Sequence, residues 1–356
     1  MVFIAKQILQ TLFSPQRLNL VERLNSKKYC SSLASIPQIT EKMNYLFSNE
    51  QKRQLEDVGR VEKISVDVSG PPENVTLVMN NEISTPSDCC KHISEGLCQQ
   101  AALALINDKI LWDMHRPLPG NCNVKFLTFK DDNPYNLNKV FWRTGSFVLG
   151  AVLSKAFKDT VTLHLHSFPP PYFKSGSFIY DVFMNVADWK PSPEELRILT
   201  TEFLSFVREN HKIERLRVKK AIAAEIFEDN PFKAAQIPQI CAEAEDHSVT
   251  LYRVGDHIDI SVGPMVADTS FFGRCAVTAV HQISPNGLFR FQAVALPKGI
   301  MLNSFAFQIV ARRAEKLNEA DFPEQPTEPY AEWTNKRIPP NNSLTNVPKS
   351  IYENRL

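Results

Sequence analysis

The sequence has no long apolar run, no paired-cysteine motif and no dominant charge. No stretch of eighteen apolar residues exists, so the sequence contains no candidate membrane span. The seven cysteines are an odd number without a CxxC motif. They argue against a disulfide framework or a zinc knuckle and indicate a reducing compartment. The formal net charge is only +1, so any contact with nucleic acid must come from a local patch.

Motifs that carry enzymatic chemistry are also missing. No GxGxxG, Walker-type loop, HExxH or GxSxG stands in a suitable setting. His164 and His166 form the only HxH pair, and no third or fourth ligand stands near them in the sequence. We therefore predict a solvated strand face for this pair, with a metal site as the alternative. We expect neither a metal nor a cofactor.

The N-terminal thirty residues are basic, poor in acids and amphipathic. Five positive charges stand against the single acid Glu22, and apolar residues recur at spacings of three to five. This pattern predicts a mitochondrial transit peptide over residues 1–30, with an ordinary surface helix as the alternative. Without these residues the net charge is −3, which favours protein neighbours as much as RNA.

A compact unit follows a helical lead-in over residues 31–60. Two alternating segments around a Gly-Pro-Pro turn predict a hairpin over residues 64–79. Apolar residues at helical spacing predict a helix over 88–105, and two short apolar segments predict strands near 110–112 and 124–129. The order β-β-α-β-β predicts a ubiquitin-like β-grasp over residues 61–132.

The third region, residues 137–300, mixes helices and strands. A buried helix is predicted over 147–157 and a strand over 160–166. Ser192 as N-cap with Glu195 at the capping-box position predicts a helix start. A second helix near Lys219–Glu228 must stop before Pro231. Four further strands are predicted at 250–252, 256–261, 276–281 and 288–295.

The densest basic stretch of the folded part lies inside this region. It could follow a phosphate backbone, with an exposed helix edge and loop as the ordinary alternative. The RNA-binding candidates are Arg208, Lys212, Arg215, Arg217, Lys219 and Lys220.

The last part, residues 301–356, begins with a helix start and continues as a Pro-rich polar tail. Tyr330, Trp333 and Tyr352 are scattered through a segment with too little apolar periodicity to pack on itself. These aromatics suggest anchors that become ordered on a partner. A disordered end is the alternative.

Several phrases of the chain resemble threonyl-tRNA synthetases. In the β-grasp region, NDKILWDMHRPL and VKFLTFKDD resemble the TGS domain of that family. Further on, FWRTGSFVLG resembles its FWHSSAHILG stretch, and YRVGDHIDISVGPM resembles YRxGDFVDLCRGPH. The similarity covers roughly residues 60–300 in collinear order. It implies a TGS domain followed by an editing-like two-layer α/β sandwich, with extended terminal segments and an α+β fold overall.

The resemblance fails at the reactive positions. Where the family has the two His of HxxxH, this chain has Arg143 and Phe147, and where it has Cys and His, this chain has Ser261 and Met265. Arg143 cannot act as a base, and neither Phe147 nor Met265 can handle a proton. Ser261 could attack only with a neighbouring base, and none is predicted. We expect no catalysis and no small-molecule substrate, with Phe147 and Met265 filling the former cleft.

The whole arrangement, with the phrases NEISTPSDCCKHISEG, KFLTFKD and ISVGPMV, also resembles a family of mitochondrial large-subunit ribosomal proteins. No part of the chain resembles the aminoacylation core or an anticodon-binding domain. The resemblance implies a non-catalytic component of the mitochondrial ribosome in the matrix, in contact with large-subunit rRNA and neighbouring ribosomal proteins. The alternative is a free-standing tRNA-binding or editing-like factor derived from threonyl-tRNA synthetase.

Overall fold

A computed structural model describes residues 36–70, 73–157, 161–186 and 189–320. The predicted transit peptide and the Pro-rich tail beyond residue 320 lie outside the described residues. The chain divides into two compact units, residues 1–39 and 40–356. The described part of the first unit is the beginning of helix α1 (Ile36–Asp57), and everything below concerns the second unit.

A five-stranded mixed sheet forms the first folded region. Its strands are β1 (Lys63–Ser69), β2 (Val75–Asn80), β3 (Leu103–Ile106), β4 (Ile110–Trp112) and β5 (Cys122–Leu127), in the order β2-β1-β5-β3-β4. Strand β1 pairs with β5 in parallel, and the other neighbours are antiparallel. The alternation of β1 buries Ile64, Val66 and Val68 on one face. This topology is the predicted β-grasp.

The helix of this region is shorter than the sequence pattern suggests. Helix α2 (Pro86–Ile93) begins at a capping box between Thr85 and Asp88, and α3 (Glu95–Cys98) ends the helical part. Residues 103–105, predicted as helix, form β3 instead. The run from Ala101 to Ala104 is fully buried, and a short buried strand cannot be distinguished from a buried helix by periodicity.

The second folded region is built on a four-stranded antiparallel sheet. Its strands are β6 (Leu163–Ser167), β7 (Phe178–Met184), β11 (Phe272–Ser284) and β12 (Leu288–Pro297), in the order β11-β12-β7-β6. Helices α4 (Tyr135–Ala156) and α5 (Pro193–Arg208) pack on this sheet, as does α8 (Ser304–Arg313). Short 3-10 turns occupy Phe173–Ser175 and Thr269–Phe271. The predicted capping box at Ser192 and Glu195 is present.

A three-stranded antiparallel sheet completes this region. It consists of β8 (Ile213–Lys219), β9 (Ser248–Val254) and β10 (His257–Ile260), in the order β10-β9-β8. Phe47 of α1, Ile226 of α6 (Lys220–Ile226) and Ile237 of α7 (Pro231–Glu243) share a buried cluster with Leu251 of β9. Helix α6 ends before Pro231, as predicted, and Asn230 then caps α7, which the sequence reasoning did not anticipate.

Helix α7 overturns the expectation for the HxH pair. His166 is buried, and its ring lies 4.9 Å from that of Phe232 on α7; the ring of His164 lies 6.2 Å from the same side chain. The face is therefore packed and not solvated. Burial lowers the pKa of His166 to about 3 and that of His164 to about 4, so both rings are neutral near pH 7.

The two folded regions share one continuous core. Phe129, just after β5, contacts Phe141 of α4 at 5.3 Å and Phe271 at 6.1 Å between ring centroids. A backbone hydrogen bond from Ala267 N to Ala102 O, 3.0 Å long, joins them directly. None of the helices in the described ranges is both long and apolar enough to cross a bilayer. The architecture is α+β, as expected.

Candidate functional site

Arg143 stands on α4, where the resembled family has a histidine. Its Nη1 donates a hydrogen bond to the carbonyl oxygen of Gly263, in the loop after β10. Burial lowers the pKa of Arg143, yet an arginine stays charged at ordinary pH. The guanidinium thus acts as a fixed donor that ties the loop to α4. It cannot accept a proton from a nucleophile.

Phe147 lies one helical turn further along α4 and is fully buried. Its ring centroid lies 5.3 Å from that of His257 and 6.3 Å from that of Tyr252, the latter in an edge-to-face arrangement. The ring fills the space between α4 and strands β9 and β10. A hydrophobic contact occupies this position, with no polar group available for chemistry.

The loop after β10 carries Ser261 and Met265. The Ser261 hydroxyl accepts a hydrogen bond from Gly263 N at 3.3 Å, within its own turn. Met265 is buried, and its sulfur accepts a hydrogen bond from the Thr144 hydroxyl at 3.6 Å. Gly263 has φ +73°, and a Cβ there would stand 1.9 Å from the Tyr252 hydroxyl oxygen, so only glycine fits. The loop is packed against α4 and β9.

The arrangement offers no base for Ser261. Within the described residues, no imidazole or carboxylate makes a hydrogen bond to its hydroxyl. The imidazole of His257 lies beside Phe147. Burial lowers its pKa to about 4, and its Nε2 has no hydrogen-bond partner in the described structure. General-base catalysis needs a titratable group in hydrogen-bond reach of the nucleophile, and this loop does not present one.

A buried charged group lies beneath the same strands. Asp259 on β10 pairs with Lys233 of α7 and accepts a hydrogen bond from the Tyr180 hydroxyl. Burial raises the pKa of Tyr180 well above its ordinary value, so the hydroxyl stays protonated and donates. All three side chains are buried, and each polar end is engaged by another. This group holds β10, α7 and β7 together.

Asp113 is a residue of the site that sequence reasoning missed. It stands just after β4 in the β-grasp, and one of its carboxylate oxygens accepts hydrogen bonds from Met265 N at 2.8 Å and the Tyr252 hydroxyl at 2.9 Å. Arg215 Nε lies 3.7 Å from the other oxygen. Burial raises the pKa of Asp113, and the Met265 N–H and the Arg215 charge oppose that effect. The only sequence signal was one acid between Trp112 and Met114.

The six RNA-binding candidates divide into two classes. Arg215 is largely buried beside Asp113, and Arg217 is half-exposed but donates to Asp246 at 2.6 Å. The other four are exposed and lie along or beside β8, which is an edge strand. They are Arg208, Lys212, Lys219 and Lys220.

These exposed cations occupy both ends of β8. Arg208 ends α5 and Lys212 precedes the strand, while Lys219 and Lys220 mark its junction with α6. Cations spaced along an edge strand can each meet a phosphate of an extended nucleic-acid backbone.

Among the described residues, no three His, Cys, Asp or Glu side chains are grouped so as to hold a metal ion.

Comparison with known proteins identifies two kinds of relative. A TGS domain model matches residues 77–128. Large ribosomal subunit protein mL39 of Drosophila melanogaster is 48% identical over 291 residues, which cover 81% of this chain and 87% of that protein.

Threonine–tRNA ligases are the second kind of relative. A probable threonine–tRNA ligase 1, cytoplasmic, of Dictyostelium discoideum is 28% identical over 65% of this chain and 31% of its own length. Threonine–tRNA ligase, mitochondrial 1, of Arabidopsis thaliana is 29% identical over 64% of this chain and 30% of its own length. These matches confirm the resemblance to threonyl-tRNA synthetases, and the chain corresponds to under a third of each ligase.

Proposed function

The chain belongs to the mL39 family of large ribosomal subunit proteins, and from this membership we propose a non-catalytic role in binding rRNA and neighbouring ribosomal proteins. Its location is the mitochondrial ribosome in the matrix. The observation that supports a non-catalytic role is the packing between α4 and the loop after β10, where Arg143, Phe147 and Met265 all make structural contacts. The synthetase-derived frame serves for docking.

The proposed rRNA contact is the β8 edge. Arg208, Lys212, Lys219 and Lys220 are exposed there, and within the described residues none of them forms an ion pair. Cations without an ion-pair partner in the protein can bind phosphates directly, and this binding is favourable because it releases the counterions condensed on the nucleic acid. Arg215 has a different proposed role, since its charge is engaged with Asp113 inside the protein.

Sedimentation of a mitochondrial lysate tests the ribosomal role. We expect the chain to migrate with the large subunit and to remain there after a high-salt wash. A peak confined to free proteins contradicts this role and favours the alternative, a free-standing tRNA-binding or editing-like factor, which the similarity to threonine–tRNA ligases supports. That alternative also predicts hydrolysis of serine-charged threonine tRNA above background by the purified chain, and we expect none.

A charge-reversal series tests the β8 edge itself. The triple variant Lys212→Glu, Lys219→Glu, Lys220→Glu should be released from the large subunit at a lower salt concentration than the unchanged chain. For every phosphate contact that is lost, the slope of the logarithm of the binding constant against the logarithm of the salt concentration should become shallower by about one. The matched control, with equal charge change, is Lys52→Glu, Lys109→Glu, Lys190→Glu at exposed positions elsewhere. Equal release of both variants contradicts the proposed surface.

A further inference from the structure

An unusually apolar surface lies at the start of α8. In the described residues, large exposed apolar side chains occur mostly singly along the chain, as is normal for a soluble protein. Five of them fall within ten residues here, and we call them the α8 patch. They are Ile300 (46% exposed), Met301 (92%), Leu302 (39%), Phe305 (71%) and Ile309 (53%).

The patch is held outward by a well-packed helix. Asn303 caps α8 by accepting a hydrogen bond from Ala306 N at 2.7 Å. On the opposite face Phe307 is buried against Val294 and Ala314. Phe305 and Ile309 are four residues apart, so they lie on one side of the helix. The exposure of Phe305 and Ile309 is therefore a property of the folded helix, and Ile300, Met301 and Leu302 lie in the segment just before its N-cap.

The segment that follows α8 is fixed, and it runs away from the patch. Gln292 Nε2 donates to the carbonyl oxygens of Ala314 and Lys316, and Arg290 Nη1 donates to those of Asn318 and Ala320. Ala320 is therefore anchored at Arg290, about 20 Å along β12 from Leu296, which packs with the buried side of α8. Residues 314–320 cannot fold back over the patch without breaking these buried bonds.

The patch is bordered by basic side chains. Lys298 immediately precedes it, and Arg312 and Arg313 follow Ile309 by three and four residues, which places them next to it on the helix surface. Arg274 lies over the Phe307 ring at 4.5 Å. Within the described structure, none of these four cations lies within 4.0 Å of a carboxylate. A partner surface that complements the α8 patch would be apolar and flanked by acidic side chains.

We propose that the α8 patch docks an amphipathic, acid-flanked helix of a neighbouring protein of the large subunit. This inference rests on the proposed ribosomal role and adds a surface and a partner chemistry to it. Side chains one helical turn apart match the spacing with which a partner helix presents its apolar face. Phosphates and sugars of RNA cannot cover the aliphatic surfaces of Met301 and Ile309, which separates this surface from the β8 edge.

Site-specific photocrosslinking in the assembled subunit tests the proposal. A benzophenone amino acid at position 305 should crosslink to a protein peptide that has net negative charge and apolar residues at helical spacing. The same label at Val78, an exposed single residue on β2, is the matched control and should not reach that peptide. A crosslink to rRNA, to a second copy of the chain or only to the chain's own residues 321–356 overturns the proposal. The proposal is also overturned if labelled chains are incorporated into the large subunit and give no crosslink.

A double variant provides an independent measurement. Phe305→Gln with Ile309→Gln should leave the unfolding midpoint of the isolated chain unchanged, because both side chains face solvent. Its retention on the large subunit after a salt wash should fall about tenfold, the effect of removing a principal binding residue. Unchanged retention contradicts the proposal while leaving the ribosomal role intact. Absence of the unchanged chain from the subunit peak overturns both.

Discussion

At the scale of single residues, each of the four positions that differ from the resembled synthetase motifs has a structural role. Arg143 ties the loop after β10 to α4, Phe147 fills the space under β9 and β10, and Met265 accepts a hydrogen bond from Thr144. Ser261 organises its own turn. Replacing catalytic side chains with smaller ones would leave cavities, and a cavity in the core lowers the free energy of unfolding in proportion to its volume. These residues instead complete the packing.

His257 yields a prediction at this scale. Its Nε2 is buried without a described partner, and a buried unsatisfied nitrogen costs about 1–3 kcal/mol. We expect His257→Phe to raise the free energy of unfolding by about 1 kcal/mol near pH 7. The measurement is denaturant unfolding of the purified chain. The matched control, His92→Phe at an exposed position, should change the free energy by less than about 0.5 kcal/mol.

The same substitution should change the acid response. Burial lowers the pKa of His257 from 6.5 to about 4, so the unfolded chain binds a proton there that the folded chain does not. That difference is absent above the unfolded pKa, and it reduces stability as the pH falls from about 6.5 towards 4. The amount by which the free energy of unfolding of His257→Phe exceeds that of the unchanged chain should therefore grow by about 2 kcal/mol between pH 7 and pH 5. A constant advantage across this range would contradict the assignment of a buried neutral ring.

The resemblance of two long phrases predicts which residues stand where the synthetase family has its reactive groups, and the structure places these residues on α4 and the loop after β10. The sequence could not identify Asp113, because its partners Tyr252 and Met265 lie more than a hundred residues away. It also left Arg215 among the RNA candidates, since a run of basic residues does not say which side chain turns inward. Local pattern gives residue type and face, whereas pairing across the chain depends on the folded topology.

At the scale of elements, the sequence predicted most of the strands and missed what covers them. The hairpin β1–β2 and the strands β9 to β12 were clear from alternation or from apolar runs. Strand β3 was missed because three of its four residues are buried and the strand carries no period of two. The face of His164 and His166 was taken as solvated because nothing in β6 itself indicates that Phe232 of α7 lies on it.

The buried pair Asp181–Arg290 gives a prediction for β12 and the segment after α8. Arg290 donates two hydrogen bonds of 2.8 Å to Asp181, and both side chains are fully buried. Arg290→Met leaves a buried carboxylate without its cation, so we expect a loss of about 3–5 kcal/mol in the free energy of unfolding. Amide hydrogen exchange at residues 314–320 should also accelerate, because Arg290 holds the carbonyl oxygens of Asn318 and Ala320.

The control for this prediction is the same substitution in a surface pair. Arg217 forms an ion pair with Asp246 in which both side chains are nearly half-exposed. Arg217→Met should cost no more than about 1 kcal/mol and should not alter exchange at residues 314–320. Similar losses for both variants would show that burial does not determine the contribution of these pairs.

At the scale of the whole molecule, the β-grasp and the editing-like region behave as parts of one core. Aromatic contacts of Phe129 and the backbone hydrogen bond from Ala267 to Ala102 join the two regions. The hydrogen bonds of Asp113 are a further connection between them. Asp113 brings a β-grasp carboxylate to the loop after β10, through the Met265 amide and the Tyr252 hydroxyl. This contact fastens one region to the other.

Asp113→Asn tests this junction. An amide at this position cannot accept from both Met265 N and the Tyr252 hydroxyl while its NH₂ avoids Arg215, so a buried donor is left unmatched. We expect a loss of about 2–4 kcal/mol in the free energy of unfolding. The amide of Ala267 should also exchange faster, since its bond to Ala102 spans the junction. Asp108→Asn, at an exposed position of the same region, should change neither quantity.

A second variant separates fastening from local stability. Tyr252→Phe removes one of the two hydrogen bonds at Asp113 and keeps the ring against Phe147. If Asp113 fastens the regions through Tyr252, the double variant should be less destabilised than the sum of the single variants, with a coupling of about 0.5–3 kcal/mol. A stability loss in Asp113→Asn with normal protection of Ala267 would place its effect within the β-grasp alone. Additive losses in the double variant would likewise contradict a junction built on this hydrogen bond.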